Sequence, residues 1–81
     1  MYKDLLQFIV TRLVAFPERV VITNEDAKEE NKELLKLKVA KEDMGRIIGK
    51  EGRIIRSIRE ILMSYGMKDG KKVSIEIEEE K

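Results

Sequence analysis

A chain of 81 residues, 42% apolar and 41% charged, predicts one soluble globular domain spanning residues 1–81 around a single modest core. With no cysteine and no histidine, it excludes disulfides, thiol nucleophiles, zinc-finger spacings and histidine acid–base chemistry together. Seventeen basic residues against 16 acidic ones leave a net charge of +1, so any affinity for nucleic acid must come from local placement of charge and not from an overall field.

Tyr2, Leu5, Leu6, Ile9, Val10, Leu13 and Val14 recur at three- and four-residue spacing, which predicts an amphipathic helix. Pro17 removes a donor and restricts Phe16, so this helix is expected to stop near Ala15. Phe8 and Phe16 fall off its tightest stripe, open to a partner or to a second core contact. The run from Leu5 to Val10 is too short to span a bilayer and is flanked by Lys3, Asp4 and Arg12, so neither a membrane nor a secretory segment is expected. The absence of cysteine makes a cytoplasmic compartment the natural expectation.

Arg19 to Thr23 is short and β-branched and predicts a strand, and the polar stretch Asn24 to Asn31 an exposed loop. Leu35, Leu37 and Val39 alternate with Lys36 and Lys38 as a half-buried strand does. Lys41-Glu42-Asp43 opens a short helix, with acid where the helix dipole favours it and Met44, Ile47 and Ile48 on the apolar face. A second helix carries the stripe Ile54, Ile55, Ile58, Ile61, Leu62 and Tyr65, with Gly66 expected as its left-handed cap. Asp69-Gly70 predicts a turn and Val73, Ile75 and Ile77 a last strand, with Glu78 to Lys81 a frayed acidic end. Strand, two helices and strand form a crossover whose strands, if paired directly, run parallel.

Between the two central helices lies Gly49-Lys50-Glu51-Gly52, with Arg46 before it and Arg53 and Arg56 after it. Two glycines let the backbone bend and let a ligand approach the main chain, and the free N–H groups at the start of the second helix carry partial positive charge. A phosphate there would meet those donors together with Lys50 and Arg53, with Arg46 adding charge one turn earlier. Helix rotation carries Arg56 about 300° from Arg53, a neighbouring line on the surface. Ile48 and Ile55 are candidates for a greasy floor under unstacked bases, and Ile47, Ile48, Ile54 and Ile55 divide between core and groove in a way the spacing leaves open. The same glycines would also serve a plain helix–turn–helix connection with solvated arginines. A P-loop is excluded: three residues separate Gly45 from Gly49, and Glu51 follows Lys50 where Ser or Thr is needed for magnesium.

The stretch from Val39 to Arg53, followed by Lys72-Val73-Ser74-Ile75-Glu76-Ile77 in an α-β-β-α-α-β order, resembles the type II KH domain and, within it, the small bacterial KhpA-type proteins. The resemblance implies an α+β fold: a three-stranded mixed sheet covered by three helices, with a βααβ core at about residues 33–78 and the extra helix and strand at about 2–23. It implies a single-stranded RNA-binding protein, an RNA chaperone or post-transcriptional regulator tied to cell division and cell-wall synthesis. Gly49, Lys50, Glu51 and Gly52 would clamp the RNA backbone, and the partners would be RNA, a KhpB/Jag-type protein or a second copy. No cofactor, metal or catalytic residue is implied. Glu51 sets a negative charge in the clamp, which predicts weak, low-specificity binding by one copy. RNA and single-stranded DNA are not distinguished. The competing expectation is an adaptor domain that works mainly through dimerisation.

Tyr2 and Tyr65 occupy core-stripe positions, where packing is expected over base stacking. Lys36 and Lys38 share the outward face of a strand, and Arg59 reads as a solvated or ion-paired side chain. Met63 and Met67 are left over for self-association.

Overall fold

Leu35, Leu37 and Val39 are fully buried and Lys36 and Lys38 face outward, so the strand that carries them has one side in the core. It is the middle strand, β2 (Lys32–Val39), of a three-stranded sheet with order β1-β2-β3. The computed structural model describes residues 2–26 and 31–79. Along the chain the elements are α1 (Tyr2–Thr11), β1 (Val21–Asp26), β2, α2 (Met44–Ile48), α3 (Arg53–Lys68) and β3 (Lys72–Glu79), with short 3-10 turns at Pro17–Arg19, Lys41–Asp43 and Lys50–Gly52. β1 runs antiparallel to β2 with Ile22 opposite Leu37. β3 runs parallel to β2 with Leu35 opposite Ile75. This α+β architecture, a mixed sheet with three helices, is the expected type II KH arrangement.

The core joins one side of the sheet to the helices: Tyr2, Leu6 and Val10 from α1, Ile47 from α2, Ile55, Ile58 and Leu62 from α3, and Val73 and Ile75 from β3. Spacings of four in α1 and of three and four in α3 keep those residues on one helical face. On the other face of the sheet Lys36 meets Glu25 at 3.2 Å and Lys38 meets Glu78 at 4.0 Å. Lys36 is held above its ordinary pKa first by the hydrogen bond to Glu25 and then by that carboxylate's charge.

The structure departs from the sequence expectations at five places. The regular part of α1 ends at Thr11, short of Ala15. Thr11 Oγ1 bonds back to the Gln7 carbonyl at 2.7 Å, a looser turn closes at Leu13 and Val14, and the N–H groups of Ala15 and Phe16 are taken by the Asp43 carboxylate. β1 is displaced toward Asp26, so Asn24 and Glu25, expected in a loop, pair with Leu35 and Leu34. Asp26 also lies in β1 and Asn31 in the turn before β2, while residues 27–30 of that expected loop lie outside the described residues. Glu78 and Glu79 belong to β3, and the remainder of the expected frayed end, residues 80–81, is also outside them.

Gly66 is not a left-handed cap. It is buried inside α3, where a Cβ would stand 2.7 Å from the Lys71 carbonyl oxygen and from Val73 Cγ2. The left-handed position is Gly70 (φ +70°): the Lys71 N–H bonds the Gly66 carbonyl at 2.8 Å and the Gly70 N–H that of Met67 at 3.1 Å, the pattern of a Schellman motif four residues later. Finally, Ile61 and Tyr65 stand on the solvent side of α3, 42% and 52% exposed, because the buried line runs through Ile58, Leu62 and Gly66.

Candidate nucleic-acid interface

α2 is only five residues long and ends at Gly49, whose N–H bonds the Gly45 carbonyl at 2.9 Å. The chain then reverses within four residues. Gly49 takes φ +76°, ψ 175°, Glu51 φ 58°, ψ 24°, and Gly52 φ +74°, ψ 16°. Three positive φ values in four residues make a tight turn that only glycine enters freely. The two glycines serve different ends. A Cβ on Gly49 would strike Ile54, whereas Gly52 has open space and needs only its backbone angle.

α3 starts at once after this turn with no side-chain cap at its N-terminus. Its first amides and the positive end of its dipole therefore face the turn. Lys50, Glu51, Arg53 and Arg56 are all exposed around it. Arg53 Nη2 lies 3.5 Å from Glu51 Oε2, and with side chains 73% and 69% exposed the two form a loose surface pair. Arg46, one turn before Gly49, is also on the surface but is tied back: its Nη1 lies 3.3 Å from both Asp43 Oδ1 and the Glu42 carbonyl oxygen. At the turn Arg53 thus stands beside Glu51, while Arg46 is held by Asp43 and Glu42.

The four isoleucines divide in pairs. Ile47 and Ile55 are buried in the core, and Ile48 and Ile54 are half-buried at its edge. Ile55, a candidate for surface beside the turn, is therefore almost wholly covered, and the apolar side chains left partly open there are Ile48 and Ile54. Away from the turn, Tyr2 is buried and donates its hydroxyl to Asp69, while Phe8 is 55% exposed under the Arg12 guanidinium. Phe16 is half-buried beside Arg19. Arg59 reaches the Ile75 carbonyl on β3 at 3.4 Å, so it is neither simply solvated nor ion-paired. Among the described residues no group of three or more acidic side chains is placed to hold a metal ion, and no helix is long and apolar enough to cross a membrane.

One residue of the site escapes a reading of motifs. Asp43 is the buried charged side chain among the described residues, fully inaccessible, and it joins α2 to the segment after α1. Its position four residues before Ile47 puts it on the buried face of the turn leading into α2, and that spacing is the one signal in the sequence.

The solved structures similar to this chain include Era from Aquifex aeolicus (TM-score 0.63, 17% identity, 96% of this chain and 29% of that one). Era in complex with a segment of 16S ribosomal RNA gives TM-score 0.61 at 16% identity, again over 96% and 29%. The chain spans under a third of those proteins, and at such identity the likeness is one of fold. Sequence relatives are far nearer. The RNA-binding protein KhpA of Listeria monocytogenes is 47% identical over 75 residues, covering 93% of this chain and 96% of the relative. That of Chlamydia trachomatis is 46% identical over 79 residues, covering 98% and 99%. With residues 3–77 also matching the family described as KhpA/KhpB, KH domain, the glycine turn sits in a chain that belongs to the KhpA/KhpB KH-domain family.

Proposed function

We propose that this protein is a single KH domain that binds single-stranded RNA by clamping the backbone at Gly49-Lys50-Glu51-Gly52. The observation that carries the reading is the turn itself: three positive φ values set an uncapped α3 N-terminus beside Lys50 and Arg53. Backbone amides, helix dipole and side-chain cations then converge on one point, which suits a phosphate. Arg46 and Arg56 extend the charge along the backbone path, and Ile48 and Ile54 supply the apolar edge against which unstacked bases rest. The names of the relatives support RNA as the ligand. Glu51 offsets part of the charge, so one copy binds weakly and reads backbone more than sequence. Weak, sequence-tolerant binding fits an RNA chaperone or post-transcriptional regulator in the cytoplasm.

The test is fluorescence anisotropy with short single-stranded RNAs at two salt concentrations, against the double variant Lys50→Asp plus Glu51→Asp. Both glycines stay, and aspartate accepts positive φ better than most residues. Wild type should bind, with a salt slope of roughly two to three phosphates at about −0.7 each, and the variant should not. Equal binding by both, or by neither, removes the loop as the site.

A second reading has one observation in its favour. α3 presents Ile61 and Tyr65, and Met63 and Met67, as exposed pairs four residues apart, with Met67 76% exposed. Apolar pairs on an outer helix face suit a protein partner, whether a second copy or a KhpB/Jag-type KH protein, and two linked loops would bind RNA more tightly by effective concentration. Sedimentation of wild type and Ile61→Glu, alone and with such a partner, tests it. No association in any combination would leave the RNA reading standing alone.

A further inference from the structure

Burying a carboxylate is unfavourable unless donors fill its lone pairs. Asp43 meets that condition from three sides. Oδ1 accepts the Ala15 N–H at 2.8 Å, Oδ2 accepts the Phe16 N–H at 3.0 Å, and Oδ1 also receives Arg46 Nη1 at 3.3 Å. The first two bonds pin the start of α2 to the segment between α1 and β1. The third fixes an arginine of the RNA site. Arg46 Nη1 is held again by the Glu42 carbonyl, yet the side chain remains 53% exposed. A guanidinium is a rigid plane with five N–H donors, so holding one nitrogen sets the direction of the other two.

We propose that Asp43 is a positioning residue of the RNA site, whose buried carboxylate holds the Arg46 guanidinium in one orientation beside the glycine turn and seats α2 on the segment that follows α1. The proposal rests on the RNA-binding reading above. Its physical content is preorganisation. A free arginine loses rotamer freedom when it binds a phosphate, whereas one already bonded to Asp43 has lost much of it on folding.

Charge alone predicts the opposite sign. Asp43→Asn removes one negative charge, taking the net charge from +1 to +2, and on that ground should tighten RNA binding. Positioning predicts weaker binding, by roughly two- to tenfold, the cost of immobilising one long side chain at binding. The experiment is RNA anisotropy on wild type, Asp43→Asn, Arg46→Met, the Asp43→Asn plus Arg46→Met double variant, and Arg46→Lys. Asp43→Asn should weaken binding in the wild-type background and should not weaken it further in the Arg46→Met background, where only the small gain from the lost negative charge remains. Arg46→Lys keeps the charge but has no planar fork to orient, so it should lose nearly as much as Arg46→Met.

Tighter or unchanged binding by Asp43→Asn overturns the proposal, as does an equal loss in both backgrounds, which marks a merely structural role. If Asp43→Asn does not fold, the surface variants decide: Arg46→Lys binding like wild type overturns the proposal, and Arg46→Lys falling to the level of Arg46→Met supports it. Failure of the RNA reading itself looks different, because wild type would then give a flat titration with every variant alike.

Discussion

Gly49 lies so close to Ile54 that a Cβ on the glycine would stand 2.5 Å from Ile54 Cγ1. The glycine therefore lets the first residue pair of α3 close over the end of α2, besides supplying a backbone angle. At Gly52, with φ +74° and nothing within 4 Å of where a Cβ would stand, the angle is the whole requirement. Gly49→Ala should lower the unfolding free energy by about 2–5 kcal/mol, from a strained backbone together with overpacking. Gly52→Ala should lower it by only about 1–2 kcal/mol, from strain alone. Urea unfolding of the two variants measures both numbers, and equal losses would mean that the Gly49–Ile54 contact carries no constraint.

Glu51 is the one residue other than glycine with positive φ among the described residues, at 58°. Glutamate gains nothing from that conformation, whereas asparagine enters it readily. Glu51→Asn should raise stability by a few tenths to about 1 kcal/mol, because the exposed pair it loses with Arg53 contributes little. It should also tighten RNA binding, since a negative charge leaves the turn and Arg53 is released. That gain should shrink as salt is added. Unchanged or weaker binding at low salt would contradict a phosphate site at this turn.

What was legible in the sequence was what depends on local period. The alternation of Leu35, Lys36, Leu37 and Lys38 marks β2 because side chains alternate across any strand, and Ile55, Ile58 and Leu62 mark α3 because they share one helical face. The glycine turn was legible because Gly49 and Gly52 act through their own backbone. Partner-dependent features were not. Ile61 and Tyr65 fit a helical stripe as well as Ile58 and Leu62 do, and only the position of the sheet decides which line is buried. α1 stops early because Asp43, 28 residues further on, takes the Ala15 N–H. Asp69-Gly70 was legible as a turn, but Gly66 follows Tyr65 near the helix end as a cap would, and only the return path of β3 shows that it makes room instead.

The two helical glycines should respond to alanine with opposite signs. Gly45 is exposed in α2 with nothing within 4 Å of a Cβ, so Gly45→Ala should stabilise by up to about 1 kcal/mol through helix propensity. Gly66→Ala gains the same propensity but meets backbone at 2.7 Å, at the Lys71 carbonyl that cannot move without shifting β3. It should destabilise by about 1–3 kcal/mol net. Thermal unfolding of both variants checks this, and stabilisation by Gly66→Ala would mean that β3 does not pack so closely on α3.

The hydroxyl of Tyr2 donates to the Asp69 carboxylate, joining the start of α1 to the end of α3. That bond, reinforced by burial and by the charges of Asp69 and Glu33, pushes the phenol up from 10.0 to about 12, because ionisation would set a phenolate against a carboxylate. Between those two values the folded chain retains a proton that the unfolded chain has released, so this group's stabilisation is fully present below pH 10 and is lost as pH rises toward 12. In Tyr65→Phe, which leaves Tyr2 as the remaining tyrosine, tyrosinate absorbance should titrate near 12 in the folded protein and near 10 in urea. Tyr2→Phe should melt at a lower temperature than wild type at neutral pH, and that gap should narrow over the same alkaline range. A folded-state midpoint near 10 would show that the Tyr2–Asp69 bond is not maintained in solution, and the gap between the two melting temperatures would then stay constant with pH.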